Sequence, residues 1–418
     1  MQVFENLESE VRAYCRSFPA VFRSALNARM TDVQGREYID FFAGAGVLNF
    51  GHNNPRMKRA IIEHMESDGV THSLDFATEA KQRLLERFDE VILRPRGMKY
   101  RLQFTGPTGS NAVEAALKLA RKATGRRSVV AFTDGFHGMT LGALACTGNG
   151  LHRAAAGVDL DDVVRIPFDG YLGPEVDSLG LLRRQLEDSS SGITPPAAFI
   201  LETIQAEGGV NVARPEWLRD VQDLARKYDS LLIVDDIQVG IGRTGSFFSF
   251  DGMDLDPDVV VLAKGIGGYG LPLALCLLKP ERDVWAPGEH TGTFRGQNLS
   301  FVAGTEALGY FEDDAFCAEV RRKGAHTQER LLELVAGQPG LSAQVRGKGM
   351  IHGIDVGDGQ LAGRISREAF ERGLIIAPCG PGGRVVKLIA PLTIEDADLD
   401  EGLDILEASI RAAREGGA

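Results

Sequence analysis

Residues 231–245 read Leu231-Leu-Ile-Val-Asp-Asp-Ile-Gln-Val-Gly-Ile-Gly-Arg-Thr-Gly245, and residues 258–265 read Asp258-Val-Val-Val-Leu-Ala-Lys-Gly265. Each holds four or five consecutive apolar residues bounded by polar side chains and glycine, the pattern of a short strand buried on both faces of a parallel sheet. Each ends on chemically active groups, Asp235 and Asp236 in the first and Lys264 in the second. The same punctuation recurs outward from them. Strands are expected at Arg101–Phe104, Ser128–Phe132, Ala197–Leu201, Leu231–Val234, Val259–Ala263 and Leu273–Leu278. Between the first two, Val113, Ala116, Leu117 and Ala120 fall on one stripe of a helix that Gly125 can stop. This alternation predicts an α/β fold with a mostly parallel sheet flanked by helices. From about Ala303 the pattern turns helix-rich, with amphipathic Glu319–Ala336 and Asp396–Arg414 around a strand-like Met350–Val356. The expected division is a large domain over 56–302 and a smaller α+β domain over 303–418, to which the N-terminal segment 1–55 contributes.

Composition narrows the function classes. The chain has 418 residues, 44% hydrophobic and 25% charged, which excludes disorder and collagen. Its 46 basic and 58 acidic residues leave a net charge of −12 with no basic stripe, so nucleic acid is not an expected partner. Cys15, Cys146, Cys276, Cys317 and Cys379 are scattered without a Cys-x-x-Cys pair, and neither a disulfide framework nor a metal site is expected. Met1–Arg16 carries Glu5, Glu8 and Glu10 and lacks the basic start and apolar stretch of a signal peptide. No apolar run approaches the about 20 residues of a membrane span. A reduced, cytoplasmic protein with no membrane partner is expected.

Three features point to chemistry. Gly106-Pro-Thr-Gly-Ser110 lies directly before the expected helix, where free backbone N–H groups and the helix dipole favour an anion such as phosphate. Ser110 is also a natural N-cap, and alone the stretch reads as an ordinary capped turn. A carboxylate at a strand end, as at Asp235, needs a cationic partner, although many such groups only cap or pair. Lys264, followed by Gly265, Gly267, Gly268 and Gly270, can approach and condense with a carbonyl carbon; burial would lower its pKa from about 10.4. An isolated lysine is ordinarily a solvated surface group. Together, a phosphate cradle, an acid for a ring nitrogen and an amine for an aldehyde are the handles of pyridoxal 5′-phosphate.

The chain resembles the class III, fold type I aminotransferases from about Val21 to its C-terminus. The matching blocks are Asp32-Val-Gln-Gly-Arg-Glu-Tyr-Ile-Asp40, Gly51-His-Asn-Asn-Pro55, Gly135-Phe-His-Gly138, Leu201-Glu-Thr-Ile-Gln-Ala-Glu-Gly-Gly209 and Val234–Gly245. The resemblance implies the fold type I architecture and pyridoxal 5′-phosphate as cofactor, attached through Lys264, with Asp235 on the ring nitrogen and Gln238 on the ring hydroxyl. It implies that Gly109 and Ser110 bind phosphate, that Phe136 stacks on the ring with His137 beside it, and that Glu202 belongs to the cofactor site. Thr293, in His290-Thr-Gly-Thr-Phe-Arg295, matches a threonine that completes the phosphate site from a neighbouring subunit, which implies a homodimer or higher homo-oligomer with shared sites. Glu207 matches a glutamate that pairs with the arginine binding a substrate carboxylate. That arginine falls at Lys387, in Val385-Val-Lys-Leu-Ile-Ala-Pro-Leu392, a point charge in place of a planar fork. Arg295 and Arg384 are further candidates for that task. The implied partners are small molecules: glutamate as amino donor and an amino aldehyde or keto acid as acceptor.

Overall fold

The computed structural model describes residues 1–415. Seven strands lie side by side in the order Arg101–Phe104, Leu275–Leu278, Val259–Leu262, Leu231–Asp235, Ala198–Leu201, Val129–Phe132 and Val163–Ile166. Only Leu275–Leu278 runs against its neighbours; the remaining pairings are parallel, in the mostly parallel sheet that the sequence predicts. Val163–Ile166 is the strand the sequence reading lacks. It is a half-buried edge strand, and its Arg165, which donates to the carbonyls of Phe132, Ala145, Cys146 and Thr147, breaks the apolar run.

Alternate residues of each strand face opposite layers, which is why the strands read as unbroken apolar runs. Phe132, Leu201, Leu232, Val234, Val260 and Leu262 share one core with Trp217, Leu218 and Val221 of the helix Pro215–Lys227. Ala131, Ile200, Leu231, Ile233, Val259 and Val261 share the other with the helix Gly109–Thr124, whose Ala112, Ala115, Ala116 and Ala120 are small enough for close packing. That helix ends on Gly125, left-handed at φ 68°, as expected of a glycine stop. Its N-cap is Thr108, whose hydroxyl accepts from Asn111 N, rather than Ser110. Thr108 has the extended backbone a cap requires, whereas Ser110 already sits in the first turn with its hydroxyl turned to accept from Met139 N.

The helix Asn298–Leu308 straddles the expected boundary at 303, and its Phe301, Ala307 and Leu308 pack in the large-sheet core with Phe311 and Cys317. Beyond it, Gln344–Lys348, Ile351–Asp355, Val385–Leu388 and Ala377–Cys379 form an antiparallel sheet. It shares a core with the helices Ala315–Ala336, Gly359–Glu371 and Asp396–Glu415. The N-terminal strands Phe22–Leu26, Arg29–Asp32 and Glu37–Asp40 pair in turn, and the last runs parallel to Leu374–Ile375, with Ile39 opposite Leu374. Arg243, fully buried, joins three segments by donating to Met350 O, Ala390 O and Asn49 Oδ1. Among the described residues no helix is long and apolar enough to cross a membrane.

Candidate active site

The parallel strands end at one edge of the large sheet, where open α/β sheets bind ligands. The loops leaving Phe104, Phe132, Leu201, Asp235 and Leu262 enclose a cavity of about 350 Å³. Gly109, Phe136, His137, Glu202, Glu207, Asp235, Gln238 and Lys264 all line it. Asp235 is 3% exposed; its Oδ2 lies 2.8 Å from His137 Nδ1 and its Oδ1 accepts from Ile237 N at 3.2 Å. His137 is fixed in turn by its own N–H, which donates to Thr147 Oγ1 at 3.0 Å. Asp236, on the opposite pleat, is fully buried and accepts from Ser249 N at 3.1 Å, so the pair of aspartates divides into one facing the cavity and one holding a loop.

Glu202 holds two site-forming loops together, accepting from Phe136 N at 3.0 Å and from Ala206 N at 3.3 Å. Burial pushes its carboxyl up to about 7, against the pull of His137. Glu207 goes the other way. Burial alone would raise it, but the Lys387 and Lys264 ammonium groups and hydrogen bonds from Lys387 and Gln238 outweigh that and bring it down to about 2. Lys387, 2% exposed on the strand Val385–Leu388, pairs with Glu207 and donates to Gln238 Oε1 at 3.2 Å. Gln238 Nε2 donates both to Glu207 Oε1 at 3.1 Å and to Ala45 O at 2.9 Å, so its amide is engaged with its neighbours.

Lys264 leaves the strand Val259–Leu262 through a left-handed backbone, φ 54°, which is uncommon for a residue with a side chain. Burial lowers its pKa to about 8, although Glu207 holds the proton on. Thr293 is not among the residues lining the cavity; it opens the short helical turn Thr293–Gly296, and its carbonyl accepts from His72 Nε2 at 2.7 Å. Arg295 bonds its own loop at His290 O, and Arg384 pairs with Asp355 at 3.2 Å on another cavity. Of the three basic candidates, the fold brings only Lys387 to Glu207.

A family model described as Aminotransferase class-III matches residues 12–410. The chain belongs to the class III aminotransferases. It is 52% identical to the diaminobutyrate–2-oxoglutarate transaminase of Halalkalibacterium halodurans, over 99% of this chain and 96% of that one. It is also 52% identical to the enzyme of the same name from Halomonas elongata, over 99% of both. The ornithine aminotransferase of Toxoplasma gondii, crystallised with partial occupancy of pyridoxal phosphate, superimposes with a TM-score of 0.86 at 27% identity, over 99% of this chain and 94% of that one.

As an aminotransferase of this class the chain uses pyridoxal 5′-phosphate, and its own residues fit that group. The first turn of the helix Gly109–Thr124 offers unpaired N–H groups beside the cavity, and a Cβ added at Gly109 would meet Ile237 Cδ1 at 2.7 Å and displace the end of that side chain, which lines the same cavity. The buried carboxylate of Asp235 and the half-buried amine of Lys264 face the same space.

The sequence reading missed several residues that line the cavity, among them Val47, Leu271 and Pro272. Val47 follows Ala43-Gly-Ala-Gly46, whose alternating glycines are a signal for unusual backbone.

The lysine environment has a measurable consequence without cofactor. In the apoenzyme, amine-directed labelling of Lys264 should rise with pH to half its maximum near pH 8, because only the neutral amine reacts. Glu207→Gln should move the midpoint lower, since Glu207 favours the charged form. A midpoint near 10.4, the ordinary lysine value, would contradict the environment described.

Proposed function

We propose that this aminotransferase moves the amino group of L-glutamate to L-aspartate 4-semialdehyde, giving L-2,4-diaminobutyrate and 2-oxoglutarate, the reaction that opens ectoine-type synthesis. The observation that carries the reading is Glu207, which lines one cavity with Lys264 and is backed by the buried ammonium of Lys387, in a chain half identical to enzymes named for that reaction. Both proposed substrates present an α-carboxylate, and a buried ammonium whose present partner is a carboxylate can exchange that partner for the substrate's.

Pyridoxal phosphate, when bound, supplies an electron-withdrawing ring that takes up the charge left when the substrate α-proton departs. In this reading Asp235, oriented by His137, holds positive charge on the ring nitrogen, and Glu202 fixes Phe136 for stacking. Gly109 and Ser110 hold the phosphate, with Thr293 from a second copy of the chain. Gln238, whose Oε1 already accepts from Lys387 Nζ, would meet the ring hydroxyl. Lys264 Nζ, neutral when free, would take the α-proton of glutamate and, as the ammonium, give it to the carbon that receives the nitrogen, a water being taken up as 2-oxoglutarate leaves; in the second half it would move the proton the opposite way, to C4 of the semialdehyde, and the water would be returned. Phe76 and Phe294, 72% and 62% exposed near Thr293 and its partner His72, support a homo-oligomer by presenting apolar area for a second copy. The absence of a basic stripe supports a partner set limited to small molecules, and the cysteine usage supports a cytoplasmic site of action.

The test is a comparison of acceptors with glutamate as donor. Aspartate 4-semialdehyde should exceed glutamate 5-semialdehyde and succinate semialdehyde in kcat/KM by about tenfold or more, since a misfitted methylene or a missing polar contact costs about 1–3 kcal/mol. A preference for either rival would replace the substrate while leaving the aminotransferase. On the donor side, Lys387→Ala should lower kcat/KM for glutamate by about tenfold to a hundredfold, a hydrogen bond to a charged group being worth roughly 1.5–3 kcal/mol. Lys387→Arg should retain activity. If Lys387→Ala changes neither half-reaction, the carboxylate is held by another group.

A further inference from the structure

The blocks Asp32–Asp40 and Gly51–Pro55 are prominent in the sequence, yet none of their residues lines the cavity. Between them the chain takes four consecutive left-handed residues: Ala43 at φ 48°, Gly44 at 60°, Ala45 at 58° and Gly46 at 83°. Two of the four carry a Cβ, for which this backbone is unfavourable, so the turn persists only if its surroundings impose it. At its entrance Asp40, 2% exposed, accepts from Phe42 N and Ala43 N through Oδ1, both at 2.8 Å. Its other oxygen lies 2.8 Å from His52 Nε2. The backbone of His52 is pinned by a pair of 2.9 Å hydrogen bonds with Asn27. At the exit there is no room to relax: a Cβ on Gly46 would meet Ile389 Cδ1 at 2.9 Å and Gln238 Cγ at 3.4 Å. The carbonyl this turn presents, Ala45 O, accepts from Gln238 Nε2 at 2.9 Å, and the same amide contacts Glu207 and Lys387.

We propose that Asp40 and His52 are positioning residues for substrate-carboxylate recognition: they hold the left-handed turn 43–46, whose Ala45 carbonyl fixes Gln238 and thereby the Glu207–Lys387 pair. The inference rests on the reading above that this pair meets the substrate carboxylate. His52 acts through Asp40 and a backbone carbonyl, without touching substrate or cofactor. Its loss therefore degrades binding more than the chemical step, and removing the Cβ groups that make the turn unfavourable compensates for it.

The experiment uses the holoenzyme with glutamate as the probe. In His52→Ala, hydrogen exchange at the Phe42 and Ala43 amides should speed up by at least tenfold, and KM for glutamate should rise by about tenfold with kcat within about threefold. His52→Gln, which can offer Asp40 an N–H at a similar reach, should restore most of the affinity. Adding Ala43→Gly and Ala45→Gly to His52→Ala should recover KM together with part of the lost thermal stability, because the unfavourable Cβ groups are gone; recovery of stability with KM still raised would overturn the inference. If exchange quickens but KM for glutamate stays unchanged while Lys387→Ala raises it, the inference is overturned and the carboxylate reading stands. If neither His52→Ala nor Lys387→Ala moves KM, the carboxylate reading fails and takes this inference with it. Unchanged exchange in His52→Ala would also overturn it.

Discussion

Lys264→Ala is expected to abolish amino transfer, by at least a thousandfold, with the fold intact. A methyl group can neither attach to the cofactor's aldehyde carbon nor carry a proton, and general base catalysis alone contributes about 10²–10⁴-fold. The fold should survive because burial already disfavours the Lys264 charge, so its removal relieves a desolvation cost. Absorbance of the bound cofactor, its fixation by borohydride and turnover report the three consequences separately. A Lys264→Ala enzyme that keeps both fixation and rate would sink the assignment. The same variant tests the shared site: mixed dimers of Lys264→Ala with Thr293→Ala chains should regain one competent site, built from the intact Lys264 of one chain and the intact Thr293 of the other. No recovery in verified mixed dimers would remove the shared-site proposal.

Asp235→Asn is the second large effect. The amide keeps the shape of the carboxylate but not its charge, and breaking a buried charge pair on one side costs about 3–5 kcal/mol. Removal of the α-proton should therefore slow by about two to four orders of magnitude while cofactor remains bound. Single-turnover rates with α-deuterated glutamate isolate that step. Asp236 offers no substitute, since it is fully buried on the other face of the strand and occupied by Ser249 N. Wild-type single-turnover rates in Asp235→Asn would show that the ring nitrogen is held by another group.

How much of this was legible in the sequence depends on whether local pattern or long-range placement decides each feature. Strands such as Leu231–Asp235 were legible because burial on both faces forces an unbroken apolar run, and Asp235 and Lys264 because each closes such a run. Arg165 hid an edge strand, since a charge that satisfies four carbonyls looks the same in sequence as a solvated one. Ser110 was misread as the cap because Thr108, two residues earlier, is equally suited and only the backbone angles choose. The N-terminal contribution to the site was largely illegible: Val47 lies more than 150 residues from Glu207 in sequence, and only the folded chain brings both to one cavity. The tie between Glu207 and Lys387 came from family resemblance, because no local periodicity relates a strand end to a strand interior 180 residues away.

The central claim is that this site carries nitrogen from glutamate to an aldehyde. The most direct measurement supplies the holoenzyme with ¹⁵N-amino-labelled glutamate and unlabelled aspartate 4-semialdehyde, and locates the label by mass spectrometry and nuclear magnetic resonance. The account predicts L-2,4-diaminobutyrate labelled only at its 4-nitrogen, formed in step with 2-oxoglutarate, and no label transfer with Lys264→Ala. Consumption of glutamate with no ¹⁵N in diaminobutyrate, or unchanged labelling in Lys264→Ala, would contradict it.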